Sequence, residues 1–224
     1  MKGYVLNTFL VFIGSVAGIF AGKKIPGSLK ERTFDILGLI TLYIGFKMSL
    51  NAPNIIYVVI SLVAGTLIGS LLQLEERTYE FLNNLNKRYF SEKKGIEGFI
   101  VASTLFCVGS MTILGSIKDG LYNDSVLIKT KSIMDCFASL ILASQYGVSV
   151  IFSAITVFIV QGGLTLFSKY LTFLLSTIMM GYLDGIGGFI ILSIGLNLLK
   201  LKEIKTLNML PSLIIIVLLL KWLH

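Results

Sequence analysis

Phe106-Cys-Val-Gly-Ser-Met-Thr-Ile-Leu-Gly-Ser-Ile-Lys-Asp-Gly120 is the stretch that decides how this chain is read. It opens as part of a long apolar helix, turns rich in glycine and hydroxyls, and runs into Lys118 and Asp119 at a hydrophobic boundary. That is the pattern of a membrane helix with a weak point in it. A second stretch, Gly181-Tyr-Leu-Asp-Gly-Ile-Gly-Gly188, sets one carboxylate, Asp184, among apolar residues and glycines. The expectation is an all-α membrane protein organised around these two glycine-broken helices.

The rest of the composition agrees. The 224 residues are 55% hydrophobic and only 14% charged, with a mean hydropathy of +0.87. Soluble domains carry about 25% charged residues. Apolar runs recur along the whole length, so the chain reads as a single integral membrane domain, 1–224. The formal charge of +7 comes from basic residues lying between apolar runs, as in membrane loops, rather than on one nucleic-acid-binding face. Cys107 and Cys136 fall in or beside apolar segments with no histidine near them, and the only histidine is His224. Zinc ligation and histidine-based catalysis in the membrane are therefore not expected, and no cofactor is implied.

A spanning helix needs about 20 apolar residues. On that measure the spans are 4–22, 34–50, 55–73, 96–117, 132–146, 148–167, 170–199 and 206–223, seven or eight depending on whether 170–199 crosses fully or is re-entrant. The first apolar run resembles a signal peptide, but Lys23 and Lys24 and further spans follow it, so a retained helix is expected. Gly14/Gly18 and Gly65/Gly69 give small-xxx-small faces suited to close helix packing, within the chain or in a homo-oligomer. Residues 74–94 mix Leu74, Tyr79, Phe81, Leu82, Leu85 and Tyr89 with charges and read as an amphipathic segment. Eight crossings put twelve lysines and arginines on the side of loops 23–32, 74–95 and 200–205, against seven on the other. Loops richer in lysine and arginine face the cytoplasm, so the amphipathic segment is expected there and both termini outside. Spans three to five resemble spans six to eight in layout, since Ser103-Thr104 precedes Gly109 much as Ser176-Thr177 precedes Gly181. That suggests an inverted three-helix repeat.

Charged side chains in hydrocarbon cost about 2.5–3.5 kcal/mol on insertion scales and so face a cavity or a partner. Asp184 is the leading candidate, with carbonyls near Gly185 and Gly187 freed by unwinding to help hold a cation; the bland alternative is a solvated loop aspartate. Asp135 lies four residues after Lys131, the spacing of a helix-start ion pair. Asp119 pairs with Lys118 at a boundary. Asn7, Gln161, Asn197 and Asn208 read singly as interhelical glue. With Ser110 and Thr112 they would line one polar cavity, with Ser110 and Thr112 facing Asp184.

Asn7 with Gly14/Gly18, the stretch Cys107–Gly120, Lys131-Ser-Ile-Met-Asp135, Gln161-Gly-Gly-Leu164, and Ile194-Gly-Leu-Asn197 through Asn208-Met-Leu-Pro211 together resemble the bacterial membrane proteins grouped as domain of unknown function 554. The resemblance runs over the whole chain in order. It implies a polytopic protein of the bacterial plasma membrane, and no substrate. The functional expectation is a transporter or channel for a small ion or polar solute, coupled through an intramembrane aspartate. The alternatives are a scaffold acting through 74–94 and, further off, an aspartyl enzyme pairing Asp135 with Asp184.

Overall fold

The computed structural model describes residues 2–24, 27–85 and 93–223, without the side chains at 23–24, 27–31, 33–34, 83, 85, 93–94 and 223. Pro26 of the first loop and residues 86–92 of the amphipathic segment lie outside the described residues. The described chain is helical, with no strand: α1 (Gly3–Lys24), α2 (Gly27–Ser49), α3 (Ile55–Leu71), α4 (Leu74–Leu85), α5 (Lys93–Cys107), α6 (Ser110–Tyr122), α7 (Val126–Tyr146), α8 (Ser153–Leu166), α9 (Thr177–Leu198) and α10 (Pro211–Leu223). Short 3-10 turns cover Gly147–Phe152, Ser168–Tyr170, Thr172–Leu175 and Thr206–Met209.

Each expected span falls on a helix or a helix pair. By length and composition alone three helical stretches are apolar enough to cross a membrane: Gly3–Gly22, Val126–Leu166, which takes in α7, the turn at Gly147–Phe152 and α8, and Thr177–Leu198. Two bent pairs bring the number to five if each is one span: α3 with α4, bent by 47°, and α5 with α6, bent by 58°. The pattern of burial is that of a membrane protein. On α3, Ile56, Val59, Ile60, Val63 and Leu67 are exposed while Ser61 is fully buried, and Gly65 and Gly69 are buried beside it. An apolar surface of that extent is stable only against lipid or another apolar partner.

The chain divides into two compact units, each built from two separated segments of the sequence: residues 1–30 with 82–175, and residues 31–81 with 176–224. In the first unit α1 lies along α7. Gly14, Gly18 and Gly22 sit against the backbone carbonyls of Cys136, Leu140 and Ser144, so close that any Cβ would collide. Because both series ascend together, α1 and α7 run parallel. Gly98 of α5 meets Tyr146 and Gly115 of α6 meets Ile128, which sets α5 and α6 antiparallel to α7. Ser103 bonds Thr156 and Gly120 meets Thr165, which sets them parallel to α8. The turn that reverses α7 into α8 begins at Gly147, whose φ of +76° favours glycine.

In the second unit Gly38 and Gly45 of α2 meet Leu199 and Leu192 of α9, and Gly65 and Gly69 of α3 meet Ser212 and Asn208 near the start of α10. Both pairs run antiparallel. The small-residue faces are thus used for packing inside the units.

The expected break at Gly181–Gly188 is not there. Residues 177–198 form one helix, about 33 Å long at 1.5 Å per residue. Its glycines serve close approach instead: Gly181 faces Asn51 and Pro53, Gly185 faces Ala52, and Gly188 faces Ser49. The irregular backbone lies upstream, in the 3-10 turns between Ser168 and Leu175. The break at Gly109 is present. Its φ of 143° and ψ of 149° lie in a region that only glycine visits freely.

Candidate functional site

The first unit gathers polar side chains from four helices around α1. Asp135, on α7, is 6% exposed and Lys131, one turn earlier, 8%. The Lys131 ammonium donates to both carboxylate oxygens of Asp135, at 2.7 and 2.8 Å. Asn7 Nδ2 donates to Asp135 Oδ2 at 2.9 Å and to Gln161 Oε1 at 3.1 Å. Asn7 and Gln161 are fully buried. The pair expected to be a bland helix-start contact is therefore a buried ion pair, tied by one amide to α1 and α8.

Two atoms of this network, Asn7 Oδ1 and Gln161 Nε2, are buried with no protein partner. The carboxylate fixes their directions: Asn7 turns its donors toward Asp135 and Gln161, leaving its own oxygen and the Gln161 amide nitrogen pointing elsewhere. A buried acceptor and a buried donor left open cost about 1–3 kcal/mol each, so bound water or a ligand is called for.

The break of α5 into α6 adjoins the network. Cys107, the last residue of α5, lies within the electrostatic reach of Lys131 and Asp135. Thr112 Oγ1 spans the break by donating to the Phe106 carbonyl at 3.0 Å, and half-buried Ser110 opens α6. Because α6 runs antiparallel to α7 with Gly115 against Ile128, its first turn, where a helix carries its positive end, lies toward the stretch of α7 that holds the ion pair. At the other end of α6, buried Asp119 accepts the Gly3 backbone N–H at 2.8 Å. Rather than resting on Lys118 at a boundary, it caps the start of α1.

The remaining candidates sit in the second unit. Asp184 is half-buried on the second turn of α9, where its Oδ2 accepts from Asn51 Nδ2 at 3.2 Å. Gly185 and Gly187 are buried in the regular helix around it, so no unwound carbonyl is offered there. Ser110 and Thr112 belong to the first unit and Asp184 to the second. Asn197 pins the loop before α10, donating to the Ile204 carbonyl and accepting the Ile204 N–H, both at 2.8 Å. Asn208 Oδ1 accepts the Glu75 N–H at 3.1 Å, and Glu75 in turn accepts the Leu207 N–H at 3.1 Å. With the ion pair of Lys205 and Glu76, this clamps the first turn of α4 to residues 205–208. Both asparagines hold loops.

Lys131 is the member of the network that was missing from the expected set. The four-residue spacing to Asp135 was its only signal, and that spacing carries no information on burial. Among the described residues no three His, Cys, Asp or Glu side chains gather as a metal site would require. A groove of about 510 Å³ in the same unit is lined by Val5, Phe9, Phe12, Ile151, Phe152 and Phe158. Being apolar throughout, it suits a hydrocarbon chain and not a polar solute.

Exposed apolar helices enclosing a buried ionic network define an all-α membrane protein. The chain belongs to the family described as protein of unknown function DUF554, which matches residues 2–221. It is similar to "Uncharacterized membrane protein YdfK" of Bacillus subtilis (strain 168), with 32% identity covering 96% of this chain and 93% of the relative. It is also similar to "Uncharacterized protein YqgA" of Escherichia coli (strain K12), with 26% identity covering 95% of this chain and 93% of the relative. No solved structure matches it.

Proposed function

We propose that this protein is a multi-pass transporter or channel of the bacterial inner membrane, moving a small ion or polar solute, with Asp135 as the coupling carboxylate. The observation that carries this reading is the buried Lys131–Asp135 pair, held by Asn7 and Gln161 beside the break at Gly109. A buried ion pair adds little net stability over an apolar pair of similar volume. Ionisable groups inside a membrane that pair with one another mark ion and substrate paths. Helices broken at membrane depth are a further mark of transporters.

Two features of the architecture support an eight-crossing, inverted-repeat reading. Helix directions within each unit are those that eight alternating crossings would produce. The expected triplets also contribute reciprocally: spans three to five give one helix to the second unit and two to the first, while spans six to eight give one to the first and two to the second.

A scaffold acting through α4 is the second reading, and the observation in its favour is that helix's amphipathic sequence. The clamp on its first turn gives α4 a structural use within the chain. An aspartyl enzyme is less well supported, since Asp135 is already engaged by Lys131 and Asn7.

The test is reconstitution in liposomes with a panel of small ions and solutes applied as concentration jumps. Transport by the wild type above empty liposomes, lost in Asp135→Asn, bears the reading out. No transport of any member of the panel counts against it.

A further inference from the structure

We infer that the solute handled at the Asp135 site is a small anion carried together with a proton. This rests on the reading that Asp135 is the transport site. Three groups around Asp135 are suited to negative charge. The Lys131 ammonium is buried and held only by that carboxylate among the bonds the structure shows. The Gln161 Nε2 donor is fully buried with no protein acceptor. The start of α6, the positive end of a 13-residue helix, lies toward the same stretch of α7, since Gly115 meets Ile128 and the two helices are antiparallel. Half-helix N-termini of this kind meet anionic substrate groups in broken-helix transporters.

The coupling follows from charge balance. A proton arriving at Asp135 forms an O–H bond on one carboxylate oxygen and cancels its charge. The Lys131 ammonium is then a lone buried cation, which costs several kcal/mol unless compensated. An anion entering beside it restores neutrality and accepts from Lys131 and from Gln161 Nε2. Release of both the proton and the anion returns the ion pair. One positive and one negative charge move together, and no other reactant is needed. Asn7 Oδ1, the open acceptor of the network, receives a hydrogen from a water or a hydroxyl accompanying the anion. The groups on Asp135 are Lys131 on its own helix and Asn7 on α1, which carries Gln161 of α8 on its other bond; Cys107 on α5 lies in the field of the pair. Asp119 on α6 is bound to Gly3.

The experiment is thermal unfolding of the full-length purified protein in detergent at pH 5.5 and pH 8, at constant ionic strength. Formate and chloride are supplied as choline salts, sodium and ammonium as gluconate salts. At about one hundred times its dissociation constant, a bound anion raises Tm by roughly 5–10 °C. The expected result is that formate or chloride stabilises the wild type at pH 5.5 and not at pH 8. Asp135→Asn, the permanent mimic of the protonated acid, is stabilised at both. Lys131→Met is stabilised at neither, and Lys131→Arg behaves as the wild type. Should Lys131→Met not fold, the Lys131→Met/Asp135→Asn double variant leaves no buried charge unpaired and takes its place. Stabilisation by sodium or ammonium that Asp135→Asn removes would overturn the anion assignment while leaving Asp135 a transport residue. Anion effects equal at both pH values and in every variant, or absent throughout, would overturn it as well. Failure of the wild type to carry any solute in liposomes would instead remove the transport reading itself.

Discussion

Asn7 of α1 donates to the carboxylate of Asp135 of α7 at 2.9 Å, across 128 positions of sequence. That bond places a polar side chain of the first helix on the charge buried on α7, and a second bond from the same amide reaches Gln161 on α8. The first unit is therefore held along α1 in two ways: by glycine contacts with α7 over Gly14–Gly22, and by this amide.

Replacing Asn7 with Leu removes both bonds and leaves the Gln161 carbonyl unpaired in the interior. A cost of about 1–3 kcal/mol is expected, which lowers Tm by a few degrees in detergent. Asn7→Asp places a second carboxylate against Asp135 and should be worse than Asn7→Leu at neutral pH. Thermal unfolding of the two variants side by side checks this.

Removing one partner of the ion pair is expected to cost more than removing both. Lys131→Met alone strands a buried carboxylate, at about 3–5 kcal/mol. Lys131→Met/Asp135→Leu, which leaves no charge behind, should recover most of that loss while abolishing function. A double-mutant cycle on Tm and on transport separates the two effects.

Gly18 and Gly163 offer a contrast that only packing explains. A side chain at Gly18 collides with the Leu140 carbonyl, whereas Gly163 has open space where a Cβ would go. Gly18→Val is expected to prevent α1 from seating on α7 and to abolish folded yield. Gly163→Ala should be tolerated or gain about 0.5–1 kcal/mol in helix propensity. Yield of monodisperse protein and Tm report both.

The clamp at the start of α4 carries a pH signature. Burial raises the Glu75 carboxyl above the usual range, while the ammonium of Lys205 holds half-buried Glu76 below it. For Glu75, the folded state prefers the acid form. Its contribution is complete below the ordinary glutamate value and is lost as pH rises through its raised folded value. Glu76 runs the other way, contributing above the ordinary value and fading as pH falls through its lowered one. Glu75→Gln keeps an acceptor for the Leu207 N–H without the buried charge, so it should stabilise the protein at pH 7 and lose that advantage near pH 4. Tm against pH for the wild type and Glu75→Gln tests the sign.

The fold was largely legible because span length and the rarity of charge in hydrocarbon constrain a membrane chain closely. Gly109 was legible as a break, standing between an apolar run and a hydroxyl-rich one. Gly181–Gly188 misled for a physical reason: glycine both loosens a helix and lets a neighbour approach. The sequence does not show which applies until Ser49 and Asn51–Pro53 are found packed against it. Asn7, Asp135 and Gln161 were identifiable one by one as polar residues in apolar runs, but their meeting on α1 is a property of tertiary packing. Lys131 was masked by its spacing to Asp135, which is the same in a solvated helix and in a buried one.

The central claim is that Asp135, and not Asp184, is the carboxylate on which function turns. Its most direct test is transport in liposomes by Asp135→Asn and Asp184→Asn at matched folded yield. The account predicts that Asp135→Asn abolishes transport and that Asp184→Asn, which lies in the second unit at the contact with Asn51, retains it. Normal transport by Asp135→Asn, or loss confined to Asp184→Asn, would contradict it.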